Sequence, residues 1–236
     1  MTPPLRRRAL AEFCGTAFLV AVVVGSGIAA VNLSPNDVGL ELLENAAATA
    51  GGLVALILAF GAVSGAHFNP VVSIADAVFG GLDWRDVPAY VGAQVAGAVA
   101  GSVVANLMFD RDAVSWSTHA RSTSGLWLGE VVATIGLLVV IFGVVRSGRA
   151  SAAPFAVGAY IGAAYFFTSS TSFANPAVTI GRAFSNTFAG IKPTSVPPFV
   201  LCQLIGAGLA VALIRTLYPD ITEVADDVIV PHEQAR

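Results

Sequence analysis

The chain is 236 residues long, 56% hydrophobic and 11% charged, with a formal net charge of −3. Soluble domains carry about a quarter charged residues, so a water-facing exterior is excluded, and no basic patch points to a nucleic-acid partner. The charges gather at Arg6, Arg7 and Arg8, at 83–86, at 110–112 and beyond Tyr218, and the apolar stretches between them reach the length of ~20 residues that a membrane-spanning helix needs.

The first apolar run, from Ala9 to about Val31, follows a basic start as in a signal peptide. It is too long for a signal's apolar region and shows no clear cleavage site, so it reads as a retained span. Six spans are predicted over about 9–31, 43–63, 87–108, 126–146, 153–171 and 196–217. Two shorter apolar stretches remain, about 69–80 and 175–186. Neither is long enough to cross, and each opens on Asn-Pro: Asn69-Pro70 and Asn175-Pro176. Proline suits the first helical position and asparagine the cap before it, so each reads as a half-helix that enters the membrane and stops. Cys14 and Cys202 lie inside spans and read as small apolar residues rather than a disulfide or a metal pair. The charge pattern favours a cytoplasmic N-terminus, with eight Lys/Arg on that side (Arg6, Arg7, Arg8, Arg85, Arg146, Arg149, Arg215, Arg236) against four outside (Arg111, Arg121, Arg182, Lys192).

The two halves repeat. Glu12 and Glu130 are 118 residues apart, Asn69 and Asn175 are 106 apart, and Gln94 and Gln203 are 109 apart. Three spans per half is an odd number, so the halves insert with opposite polarity. The prediction is an all-α membrane protein with six transmembrane helices and two re-entrant half-helices. It forms one transmembrane channel domain, with repeat one over about 9–108, repeat two over about 126–217 and a cytoplasmic tail over 219–236.

Polar residues at membrane depth carry the functional reading. An intramembrane carboxylate costs about 2.5 kcal/mol or more unless it is paired or wetted. Glu12 and Glu130 have a structural use, as acceptors for the backbone N–H groups of the irregular loops before the half-helices; a proton relay is the other reading. Gln94 and Gln203 are expected to bond the same loops. In those loops the carbonyls of Gly65, Ala66, His67 and Phe68, and of Thr171, Ser172, Phe173 and Ala174, are candidates to line a pore and replace water around a solute. His67 has no Cys, Asp, Glu or second His near it in sequence, so bonding within the loop is favoured over a metal or pH-sensing role. At the midplane Asn69 and Asn175 are expected to meet, each offering amide donors to a solute. The two half-helix N-termini add partial positive charge there and oppose cations.

The runs Ser-Gly-Ala-His-Phe-Asn-Pro-Val (64–71) and Phe-Ala-Asn-Pro-Ala-Val (173–178), with the paired Glu and Gln, resemble the aquaporin and glycerol-facilitator superfamily over about residues 9–217. The resemblance implies a right-handed six-span bundle, one pore per protomer, a homotetramer, and passive, bidirectional flow without a cofactor; no metal is expected, and the six spans with the charge count put both termini on the cytoplasmic side of the plasma membrane. It places the outer filter, by ungapped counting, on Thr49, Ala163, Ser172 and Val178. Two departures stand out. The first motif reads Asn-Pro-Val, and Val178 occupies the position where most of the family carries an arginine. Arg182, one turn or about 5.4 Å further on, is expected to sit away from the narrowest point. Small uncharged filter residues imply a wide opening for solutes larger than water. The run 171–178 looks most like bacterial aquaporins associated with arsenic resistance, which implies neutral As(OH)₃, with glycerol and urea as plausible company. The rival classes are a secondary active transporter, which usually holds ion-coupling groups at the midplane, and a sealing protein with a closed pore.

Overall fold

A computed structural model describes residues 3–220. The expected tail is therefore covered only at Pro219 and Asp220, and the rest of it, Arg236 included, lies outside the described residues. Eight α-helices run in the order α1 (Leu5–Leu33), α2 (Val38–Ser64), α3 (Pro70–Phe79), α4 (Val87–Met108), α5 (Ser124–Arg146), α6 (Ala153–Phe167), α7 (Pro176–Gly181) and α8 (Val196–Leu217), with short 3₁₀ turns at Ala150–Ala152, Arg182–Phe184 and Pro193–Ser195. No strand occurs among the described residues.

Among the described residues six helical segments are long and apolar enough to cross a membrane; α3 and α7 are the short ones. Their limits follow local chemistry. The Asp37 carboxylate caps α2 by accepting from the Leu40 amide, and Gly65, at φ 86°, ends it in the left-handed region that glycine adopts without penalty. Proline stands in the first turn of α3, α4, α6, α7 and α8. The fifth span is shorter than the predicted 153–171, because Thr168 turns extended and its hydroxyl bonds back to the Ala164 carbonyl. The second half-helix is also shorter than predicted. After six residues α7 tightens into the 3₁₀ turn Arg182–Phe184 and stops.

The repeat is visible in the packing. In the first half α1 packs on α4 and α2, and in the second α5 packs on α8 and α6. The halves meet where α2 touches α6, where α4 touches α7 and α8 touches α3, and where the two half-helices touch each other. Equivalent glycines permit the close approaches. A Cβ on Gly97 would lie 2.3 Å from the Phe13 carbonyl oxygen, and one on Gly206 would lie 2.8 Å from that of Val131. Phe13 and Val131 each follow the buried glutamate of their half. Large apolar side chains such as Leu10, Phe18, Leu58, Leu128 and Leu209 point outward, which in lipid costs nothing.

Candidate functional site

The site is built from two loops that the repeat makes nearly alike. Gly65, Ala66 and Phe68 have φ of 86°, 51° and 49°; Thr171, Ser172 and Ala174, 106 residues later, have 61°, 51° and 47°. A left-handed φ on a non-glycine residue costs of order 1–3 kcal/mol, so these loops need support. In the first half the Glu12 carboxylate supplies it, accepting from the His67 and Phe68 amides at 3.0 and 2.7 Å and from the Ser64 hydroxyl at 2.6 Å. In the second, Glu130 accepts from the Phe173 and Ala174 amides, both at 2.9 Å. Both glutamates are fully buried. The Gln94 amide does not bond its loop. It donates to Glu12 and to the Ser73 hydroxyl on α3, and Gln203 does the same to Glu130 and the Thr179 hydroxyl on α7. Ser73 and Thr179 stand four residues after each asparagine, an echo that the 106-residue interval already contains.

The half-helices meet through their caps. Asn69 and Asn175 are extended, and their side-chain oxygens accept from Val71 and from Ala177 and Val178 respectively. Their amide nitrogens then cross over: Asn69 donates to the Ala174 carbonyl and Asn175 to the Phe68 carbonyl, each at 2.8 Å. Phe68 and Ala174 thus spend acceptor capacity on the opposite half.

A cavity of about 490 Å³ runs past both asparagines. Gly65, Ala66, His67 and Phe68 border it on one side, and Ser172 and Phe173 on the other. Thr171 and Ala174 do not line it. Ser172 Oγ is buried without a hydrogen-bond partner among the described residues. His67 bonds outside its loop: Nδ1 lies 3.0 Å from the Ser73 hydroxyl on α3, and Nε2 lies 3.7 Å from the Asp76 carboxylate.

Of the four expected filter positions, Thr49, Ser172 and Val178 border the cavity. Ala163 does not; it is exposed on the outer face of α6, and Tyr165 takes the inner place, its hydroxyl 3.1 Å from that of Thr49. Counting back from Asn175 slips because the loop after α6 is not a helical continuation, and two residues are about 200° around a helix. Arg182 is buried and borders the cavity. Its Cζ stands 3.4 Å from the Phe173 ring centroid, and its Nε donates to the Ala189 carbonyl. Arg121, from the loop before α5, entered the sequence reading only in the charge balance and not as a site residue. It is buried with its Cζ 5.0 Å from the same ring.

Known proteins share this plan. The model of the major intrinsic protein family matches residues 1–174. The aquaglyceroporin AqpS of Rhizobium meliloti (strain 1021) is 51% identical over 213 residues, covering 90% of this chain and 91% of that protein. Aquaporin NIP1-4 of Oryza sativa subsp. japonica is 36% identical over 219 residues, covering 87% and 76%. In fold the chain is similar to the X-ray structure of the aquaglyceroporin from Plasmodium falciparum, with a TM-score of 0.74 and 20% identity, over 92% of this chain and 99% of that one. With two half-helices joined tip to tip inside six apolar spans, and sequence kinship of this extent, the chain belongs to the major intrinsic protein family and is a membrane channel of the aquaporin and glycerol-facilitator superfamily, not an enzyme.

Proposed function

We propose that this channel passes small neutral solutes passively and in both directions: glycerol-like polyols, water, and arsenous acid, As(OH)₃. The observation that carries the reading is the pair of carboxamide nitrogens of Asn69 and Asn175. Each gives one hydrogen to the opposite loop and has a second to offer, and both residues border the same cavity. Amides do not titrate, so nothing at this point couples solute to a proton gradient. The filter is read as Thr49, Tyr165, Ser172 and Val178, with an uncharged aliphatic side chain where most of the family has arginine. The name of the Rhizobium relative supports glycerol-sized solutes; arsenous acid displays three hydroxyls as a small polyol does. A homotetramer with one pore per protomer, in the plasma membrane with both termini cytoplasmic, completes the reading. The apolar outer faces of the spans support burial in lipid and against sister subunits.

The test is solute flux in proteoliposomes, with water, glycerol, urea and arsenous acid compared by light scattering. The expected result is flux that does not saturate and survives a protonophore, and a Val178→Arg variant that cuts glycerol and arsenous acid about tenfold, some 1.4 kcal/mol of barrier, while water falls less. Saturable flux abolished by the protonophore would point to a coupled transporter instead, and equal loss for every solute would remove the wide-filter reading.

A further inference from the structure

Position 182 lies seven residues after Asn175, and Asp76 lies seven after Asn69. The repeat therefore sets a buried carboxyl group and a buried guanidinium at equivalent places in opposite halves. Each sits against the ring two residues before its own asparagine: Asp76 near His67, at 3.7 Å, and Arg182 over Phe173, at 3.4 Å. Tyr90 packs beside His67 and Phe199 beside Phe173, completing the parallel. The symmetry of the backbone is kept and the chemistry is reversed.

The cationic end is unusual in its accounts. Arg182 spends Nε on the Ala189 carbonyl, and its two Nη groups make no hydrogen bond among the described residues, although the side chain is buried and borders the cavity. Neither Arg182 nor Arg121 forms an ion pair among the described residues. The carboxylate of the same half, Glu130, already accepts from Phe173, Ala174 and Gln203. A charge held at membrane depth outside any direct ion pair is costly and marks function. Its field extends beyond the spans: burial first, then Arg121 and Arg182, push the His119 imidazole below its ordinary value. The expected helix-end charge is also weak here, since α7 has only six residues and a macrodipole sums over its peptide units.

We propose that Arg182 is the charge barrier of this pore, held over Phe173 and tied to the Ala189 carbonyl one turn beyond the uncharged Val178, with Arg121 behind the same ring reinforcing its field. Width and charge, which one arginine at 178 would supply together, are thereby separated. The aliphatic residue at 178 leaves room for a polyol, while the guanidinium at 182 turns away cations and offers its free Nη hydrogens to passing hydroxyls. Arg121 acts as a positioning and field residue, its Nε fixed by the Gly190 carbonyl at 3.1 Å.

This rests on the channel reading above, and the experiment separates the two. Purified protein in liposomes is assayed for glycerol by light scattering, and for protons and sodium with trapped dyes under an imposed potential. Arg182→Gln keeps a donor for the Ala189 carbonyl and removes the charge; Arg182→Lys keeps the charge. The expected result is a rise in proton and sodium leak on the order of tenfold for Arg182→Gln and little change for Arg182→Lys. Arg121→Gln, which leaves the cavity wall intact, raises the leak by a smaller factor and provides the second variant. Adding Val178→Arg to Arg182→Gln restores tightness to cations. Cation leak unchanged in both Gln variants, or a leak that Val178→Arg does not reverse, would overturn the proposal. Absence of glycerol flux in the parent would overturn the solute reading alone, because the cation readout remains decisive for Arg182.

Discussion

The hydroxyls of Thr49 on α2 and Tyr165 on α6 meet at 3.1 Å on the wall of the cavity, joining the two halves there. Both residues are buried, and α2 and α6 pack along each other between the halves.

Removing the phenol oxygen leaves the Thr49 hydroxyl without its partner and the wall without one solute-facing group. A hydrogen bond of this kind is worth about 0.5–1.5 kcal/mol net, so Tyr165→Phe is expected to lower glycerol flux about two- to tenfold with water little changed. Parallel glycerol and water measurements on one batch of proteoliposomes check this. Equal glycerol flux in variant and parent would show that the pair does not face the solute.

Glu130 accepts from two loop amides and from Gln203. Truncating it strands three buried donors at about 1–3 kcal/mol each, beside three residues with left-handed backbone. Glu130→Ala is expected to lose thermal stability severely in detergent, and Glu12→Ala to do the same through Ser64, His67 and Phe68. Melting followed by tryptophan fluorescence and size exclusion reads the loss. A Glu130→Ala protein that melts with the parent but no longer conducts would favour the proton-relay role over the scaffold.

Gly101 lets α4 lie against α1, since a Cβ there would fall 2.2 Å from the Ala17 carbonyl oxygen, a backbone atom that moves only with its helix. Gly101→Ala is expected to cost about 1–3 kcal/mol or more by overpacking. Gly51, in α2, has nothing within 4 Å of such a Cβ, and Gly51→Ala should be neutral or slightly stabilising, as alanine favours helix by about 1 kcal/mol. The contrast in melting temperature between the two alanine variants is the measurement; matched values would mean the α1–α4 spacing is softer than its contacts imply.

The sequence by itself determined the number of spans, the two interrupted stretches and the doubling of the chain. Each of these is written in local patterns: runs of apolar residues as long as a bilayer is thick, Asn-Pro at a helix start, and residues that recur at nearly one interval. The spacing of Glu12 and Glu130, Gln94 and Gln203, and Asn69 and Asn175 was equally legible, because a repeat needs no coordinates to be counted. Tertiary structure alone decided which face each residue presents. Ala163 and Tyr165 are two apart in one span, and only the rotation of α6 against α2 sends Tyr165 to the cavity and Ala163 outward. Arg182 looked remote by helical rise, and only the tertiary structure shows it over the ring of Phe173 and on the cavity wall. Arg121 reaches the same ring from a connecting loop 52 residues earlier. Contacts of that kind depend on how segments distant in sequence close upon one another, and no periodicity in the chain encodes them.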